Sequence, residues 1–313
     1  MQEFNYSESE QLFYIMLNRI FNLEMSKEKT NKMALHDSEV KISVVIPAYN
    51  EADFLPRCLN SLMAQKNAPN FEIIVVDNAS TDETAKVAER YGVKVIYESE
   101  KGVVHARQAG LEAAKGQIIV STDADSFFPE LWVHNIHSFF MEHPEASGLA
   151  GNYHFYKGPL WSRIMPAVLG FFIWGLSLII HRPVYVSGAN LSFRKEAFPG
   201  YDTRYYQGAD ERGVLLEIMK RGRVYVTLKN PVETSSRRVN QGFWHSMIMT
   251  VGYYYGYNNW RTKKKGYSKI GSPPAIRTED RSTHAPLLVL QWVIVLIVGF
   301  MIFEIIKRHY DVW

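Results

Sequence analysis

Of its 313 residues only Cys58 is a cysteine, so an internal disulfide and a cysteine-based metal cluster are both excluded, as fits a reducing compartment. A lone thiol at that place reads as helix packing rather than as a nucleophile. Net charge is also in short supply. At +3 it leaves no footprint for a nucleic acid, and no nucleic-acid partner is expected. No internal repeat or low-complexity tract appears. Two phosphate-binding signatures are missing as well: there is no Gly-x-Gly-x-x-Gly and no Gly-x-x-x-x-Gly-Lys loop. Any phosphate this chain holds must therefore be met by a metal or by cationic side chains. The first residues carry Glu3, Glu8 and Glu10 ahead of a brief apolar run, which speaks against a secretory leader.

What is present from Lys41 onward is an alternation of strand and helix. Ile42 to Ile46 is a β-branched run closed by Pro47, and Glu51 to Gln65 carries a helical stripe of Leu55, Leu59 and Leu62. Glu72 to Val76 reads as a second strand ending on Asp77. A helix over Asp82 to Tyr91, a strand over Lys94 to Tyr97 and a helix over about Val104 to Ala114 follow. Unbroken apolar strands between helices predict a doubly wound, mostly parallel α/β sheet covered on both faces. Ligands of such sheets sit beyond the carboxyl ends of the strands.

Three polar segments fall at that edge: Pro47 to Glu51, Asp77 to Ser80, and Asp123-Ala124-Asp125 after the apolar run Ile118-Ile119-Val120. In extended chain, residues i and i+2 point the same way, so Asp123 and Asp125 are placed to offer oxygens to one hard cation, Mg²⁺ or Mn²⁺. The bland reading of the same residues is a turn or helix cap.

Val44-Val45-Ile46-Pro47-Ala48-Tyr49-Asn50-Glu51, Val75-Val76-Asp77-Asn78-Ala79-Ser80-Thr81-Asp82, Gly102-x-x-x-Ala106-Arg107-x-x-Gly110 and Asp123-Ala124-Asp125 together resemble the successive motifs of the family 2 glycosyltransferases, which have the GT-A fold. Gln108 departs from the asparagine common there. The resemblance implies that Pro47, Ala48, Tyr49, Glu51 and Asp77 hold a nucleoside, that Asp123 and Ala124 lie against ribose or metal, that Asp125 is the principal metal ligand, and that Arg107 orients the strand edge or the diphosphate. It implies a nucleotide-diphosphate sugar as donor, UDP before GDP.

Sugar transfer with inversion needs a carboxylate to take the acceptor proton. Gly208-Ala209-Asp210-Glu211 opens a helical stripe that ends at Gly222. It is similar to the family's Glu-Asp motif, but two registers are open: counting back from Gly222 selects Glu211, and matching the Gly-Ala-Asp run selects Asp210, which is favoured. Asn190, in Ser187 to Arg194, is a candidate sugar contact. Arg237 and Arg238 are candidate cations over the diphosphate, with a solvated basic loop as the alternative.

Two apolar stretches bear on the membrane. Ala285 to Phe303 has no charge, is followed by Lys307 and Arg308, and is long enough for a transmembrane helix. Seven basic residues from Arg261 to Arg281 precede it, which places the enzyme domain on the cytoplasmic face of a single-pass membrane protein. The other stretch, Ile164 to Ile180, lies between Asp125 and Asp210. One crossing there would put metal and base on opposite sides of the bilayer, so an interfacial or re-entrant helix pair, or a buried core helix, is expected instead. The expected organisation is an amphipathic helix and linker over 1–40, a catalytic domain over 41–235, a basic and aromatic region over 236–284 and a membrane helix over 285–306. Within the catalytic domain, 41–126 is the nucleotide half, 127–235 is the acceptor half, and 159–181 is interfacial. An apolar surface between donor and base points to a lipid or lipid-linked acceptor. The rivals are a polyprenyl-phosphate sugar synthase and an inactive nucleotide-sugar-binding membrane partner.

Overall fold

The computed structural model describes residues 39–156, 174, 175, 177, 183, 186–203 and 210–237. The expected N-terminal helix, Arg238, nearly all of 159–181 and the span expected over 285–306 lie outside them. Among the described residues no helix is long and apolar enough to cross a membrane.

Among the described residues five α-helices flank one eight-stranded sheet whose order is β3-β2-β1-β4-β7-β6-β8-β5. The strands are β1 (Ile42–Ala48), β2 (Phe71–Asp77), β3 (Lys94–Tyr97), β4 (Ile118–Ser121), β5 (Ser126–Phe127), β6 (Ala146–Tyr156), β7 (Leu191–Arg194) and β8 (Arg223–Ser235). The helices are α1 (Leu55–Met63), α2 (Thr84–Arg90), α3 (Val103–Ala113), α4 (Trp132–Glu142) and α5 (Asp210–Met219). β1 to β4 form a parallel block, as the strand and helix alternation requires. Beyond β4 the sheet is mixed: β7 runs antiparallel to β4 and β6, β8 is parallel to β6, and β5 is antiparallel to β8.

Both faces are covered because alternate residues of one strand belong to different cores. Val44 and Ile46 pack with Leu55, Leu59 and Leu62 of α1 and with Trp132 and Ile136 of α4. Val45, Ile74, Val76 and Ile119 pack with Ala106 and Leu111 of α3 and with Val214 and Ile218 of α5. Gly110 lets α3 lie directly on the sheet, since a Cβ there would stand 2.3 Å from a Val45 methyl.

Two details correct the expectation for the acidic segment. β4 ends at Ser121, and residues from Asp123 form a turn closed by Ser126 N–H donating to the Asp123 carbonyl at 3.1 Å. The two carboxylates are therefore carried by a turn, not by extended chain, and the same-face argument of a strand does not apply to them.

Candidate active site

The edge at the carboxyl ends of β1, β2 and β4 is assembled by loop-to-loop hydrogen bonds. Asn50 has a left-handed backbone, φ 53°, and so does Ala79, φ 56°. Such conformations persist in non-glycine residues only where surroundings fix them. Here the Asn50 side-chain oxygen accepts from Thr81 N–H at 2.7 Å, while Asn50 N–H donates to Ser80 Oγ at 3.0 Å and Glu51 N–H to Thr84 Oγ1 at 2.8 Å. The turn after β1 is thus stapled to the loop after β2. Asn78, a buried residue that sequence reasoning gave no role, donates to the Glu98 and Glu100 carbonyls and accepts from Gly102 N–H, fixing the approach to α3.

Asp77 lies at the end of β2, opposite Ala48 of β1. It does not cap α2, whose first turn is bound instead by the Asp82 carboxylate. Its residue is 7% exposed, and among the described residues its Oδ1 has no hydrogen-bond partner. An acceptor left unmet at the mouth of a parallel sheet is a place for a ligand donor. Tyr49 stands beside it on the same edge, its hydroxyl accepting from Lys101 Nζ at 3.3 Å. Pro47 is half-buried, and the Ala48 carbonyl accepts from Asn78 N–H. Ala124 is 4% exposed and packs into the α1 core, which leaves its main chain as the part that can face a ligand.

Two arginines organise the acids. Arg107 of α3 is buried and bridges Asp123 Oδ1 at 3.2 Å and Glu211 Oε1 at 3.4 Å, linking the turn after β4 to the first turn of α5. Gly188 makes room for the pair: a Cβ there would stand 2.4 Å from Arg107 Nη2 and 2.6 Å from Glu211 Oε1. Arg237, just past β8, makes a bidentate pair with Glu51 at 2.7 and 2.8 Å and also reaches Asp125 Oδ2 at 2.9 Å. Burial works against the charged guanidinium, but the hydrogen bonds and charges of Glu51 and Asp125 outweigh it and hold the Arg237 pKa above its ordinary value. Thr234, to which sequence reasoning gave no role, donates to Asp125 Oδ1 at 3.2 Å. The sequence expectation set Arg237 over a diphosphate; in the structure it ties the β1 turn to the acidic turn.

Other expectations resolve differently. Asn190 is buried, its amide donates to the carbonyls of Asn152 and Asn230, and its oxygen accepts from the Trp132 indole. Every polar atom of that side chain is engaged inside the fold, so it is a core fastener and not placed to hold a sugar. Cys58 is buried, and burial first, then the charges of Asp125, Asp123 and Glu51, push its pKa well up. It packs α1 as an inert thiol. Asp210 opens α5, and Glu211 follows it on the same first turn.

Asp123 and Asp125 offer only carboxylate oxygens, and no group of three or more metal-ligating side chains occurs among the described residues. That set fits a hard cation of the Mg²⁺ or Mn²⁺ kind, which takes one or two carboxylates and completes its shell with substrate phosphate oxygens and water.

Residues 43–198 match the family model described as glycosyl transferase family 2. Among curated proteins, the glycosyltransferase GlyG of Streptococcus pneumoniae is 31% identical over 121 residues, covering 37% of this chain and 40% of GlyG. The chain thus spans well under two thirds of that relative. Among solved structures, the mannosyltransferase PcManGT of Pyrobaculum calidifontis, in complex with GDP-Man and Mn²⁺, superposes with a TM-score of 0.52 at 21% identity over 81% of this chain and 68% of its own. Residues 1–349 of Staphylococcus aureus TarS superpose with a TM-score of 0.50 at 20% identity over 66% of this chain and 63% of that fragment. These likenesses show the GT-A fold, and with the motif-bearing domain over residues 43–198 the chain belongs to glycosyl transferase family 2.

Proposed function

We propose that this protein is an inverting, metal-dependent glycosyltransferase that moves a sugar from a nucleotide-diphosphate sugar, UDP before GDP, to a lipid or lipid-linked acceptor at a membrane. One observation carries the reading. The unmet Asp77 oxygen, the Asp123 to Ser126 turn and the acidic start of α5 are brought to one edge of the sheet, with Arg107 joining the last two. Asp77, Tyr49 and the Pro47 turn take the nucleoside. Asp123 and Asp125 would hold Mg²⁺ or Mn²⁺, which when bound would supply positive charge for the departing diphosphate. PcManGT, complexed with GDP-Man and Mn²⁺ on the same fold, supports that choice.

Asp210 is the base that takes the proton from the acceptor hydroxyl. A carboxylate paired with a buried guanidinium is a weak proton acceptor, and Glu211 is so paired. Its part is to hold Arg107, and through it Asp123, in place. The catalytic domain sits on the cytoplasmic face, anchored by the apolar segment over 285–306 and served with acceptor by 159–181.

A panel of nucleotide sugars, screened with and without Mn²⁺, tests the donor. The cognate one raises the melting temperature by mass action, and Asp125→Asn removes the Mn²⁺-dependent part. Absence of any stabilisation and of any transfer would sink the reading. With the donor known, Asp210→Asn lowers turnover by about 10²-fold or more, whereas Glu211→Gln lowers it by about tenfold. The reverse order would make Glu211 the base.

A further inference from the structure

Next to Asp125, on the α1 side of its turn, lies a small pocket of about 40 Å³. Arg57, Ser126, Phe127, Tyr156 and Ser235 are among its walls. The Arg57 guanidinium is wedged into the corner between two perpendicular rings, 3.6 Å from the Phe127 centroid and 3.7 Å from that of Tyr156. The rings fix its orientation, yet among the described residues it has no hydrogen-bond acceptor and no ion-pair partner. Ser126 is 0% exposed, and its hydroxyl also has no partner. Native folds keep few such buried hydroxyls, and those they keep call for an explanation; Arg57, by contrast, is exposed and open to an incoming ligand. Ser235 Oγ accepts from Arg237 N–H at 3.2 Å, which leaves its own hydrogen to give. The one acid in the lining, Asp125, already faces Arg237 and Thr234.

A cation, two hydroxyl donors and apolar walls make a receptor for an oxyanion. The three donors come from three elements, α1, the start of β5 and the end of β8. A planar carboxylate has two oxygens to share among them, whereas a phosphate monoester presents three in a tetrahedral array. The walls include nothing from β2 or the loop after it, where the nucleoside goes. They do include Tyr156, the last residue of β6, from which the chain runs into the apolar segment assigned to the acceptor side.

We infer that this pocket binds a phosphate group carried by the acceptor, with Arg57, Ser126 and Ser235 as its donors. The assignment to the acceptor rests on the function proposed above; the oxyanion site does not.

The test uses the purified full-length protein, loaded with Mn²⁺ and UDP so that the donor site is filled, and titrates inorganic phosphate, glycerol 3-phosphate and dodecyl phosphate calorimetrically. Arg57→Gln weakens binding of all three by about tenfold or more, and Ser126→Ala by about threefold. In Arg57→Gln, binding of UDP with Mn²⁺, measured separately, changes by less than about twofold. Melting curves show that each variant is folded. A preference for dodecyl phosphate identifies a lipid phosphate, and a preference for glycerol 3-phosphate a water-soluble or polymeric one. Unchanged phosphate binding in folded Arg57→Gln overturns the site, and so does an equal loss of UDP binding, which would make Arg57 part of the donor site. Should neither UDP nor GDP bind the wild-type protein while phosphate still binds through Arg57, the pocket stands and the donor reading falls.

Discussion

Arg107 and Arg237 each join two acids across the mouth of the sheet, but they do so under different conditions. Arg237 holds Glu51 and Asp125 at 2.7 to 2.9 Å, and the side chains of those partners are only 9% and 14% exposed. Phe54 lies against its guanidinium at 4.5 Å. Arg107 is itself more deeply buried, at 5%, yet its contacts are longer, 3.2 and 3.4 Å, and its acids are 41% and 29% exposed. The first cluster is desolvated on both sides of the pair and behaves as a clasp. The second leaves its acids partly exposed to water. Arg237 fastens Asp125 and Glu51 in a dry cluster, and Arg107 positions the more exposed Asp123 and Glu211.

The largest effect should follow from opening the clasp. Arg237→Ala leaves two nearly dry carboxylates without their cation, and removing one partner of a buried pair costs about 3 to 5 kcal/mol. Arg237→Lys keeps the charge but not the planar fork, and should fall between the variant and wild type. Urea unfolding midpoints measure both. Because Glu51 and Asp125 share this cation, the costs of Glu51→Gln and Asp125→Asn should fail to add, with a coupling of about 1 kcal/mol or more in a double-mutant cycle. Additivity would mean that Arg237 is not shared between them.

How much of this could be read beforehand differs between the two halves of the sheet. From β1 to β4 strands and helices alternate along the chain, so local periodicity is enough, and Ile42, Asp77 and Lys94 begin or end strands where the pattern puts them. The helix at α3 and the motif residues Gly102, Arg107 and Gly110 were equally legible, each now with a physical reason. The later half is held by distant pairings such as Ala150 with Leu191 and Tyr156 with Ser235, which local periodicity does not encode. That is why β6, β7 and β8 went unread, and with them the arrival of Thr234 and Arg237 at Asp125. Asn190 misled for the same reason. A polar residue among small ones resembles a ligand contact until its partners, Asn152, Asn230 and Trp132, are brought to it by the fold.

An intermediate effect concerns β6 and β8, the strands that deliver Arg237. His154 of β6 stands opposite Glu233 of β8, and burial pushes its pKa down from 6.5 to about 4. The folded state thus binds this proton less readily than the unfolded chain does. The associated stability is fully present above about pH 6.5 and is lost as the pH falls towards 4, amounting to about 3 kcal/mol at most. Unfolding midpoints taken between pH 7 and pH 4 should decline steeply in wild type and less so in His154→Gln. Parallel declines would show that other groups carry the acid sensitivity.

Arg107→Ala should cost least. Its acids are already hydrated, so losing their cation approaches the surface case of up to about 1 kcal/mol. The buried aliphatic stem of Arg107 adds its packing, and a total of about 1 to 2 kcal/mol is expected. Turnover should respond out of proportion to that figure, because Asp123 and the first turn of α5 then lose their common tie. Arg107→Met restores much of the packing without the charge, so it should recover stability but not activity. If Arg107→Ala instead unfolds the protein as readily as Arg237→Ala, the two clusters are energetically alike, and the distinction between a dry and a hydrated cluster fails.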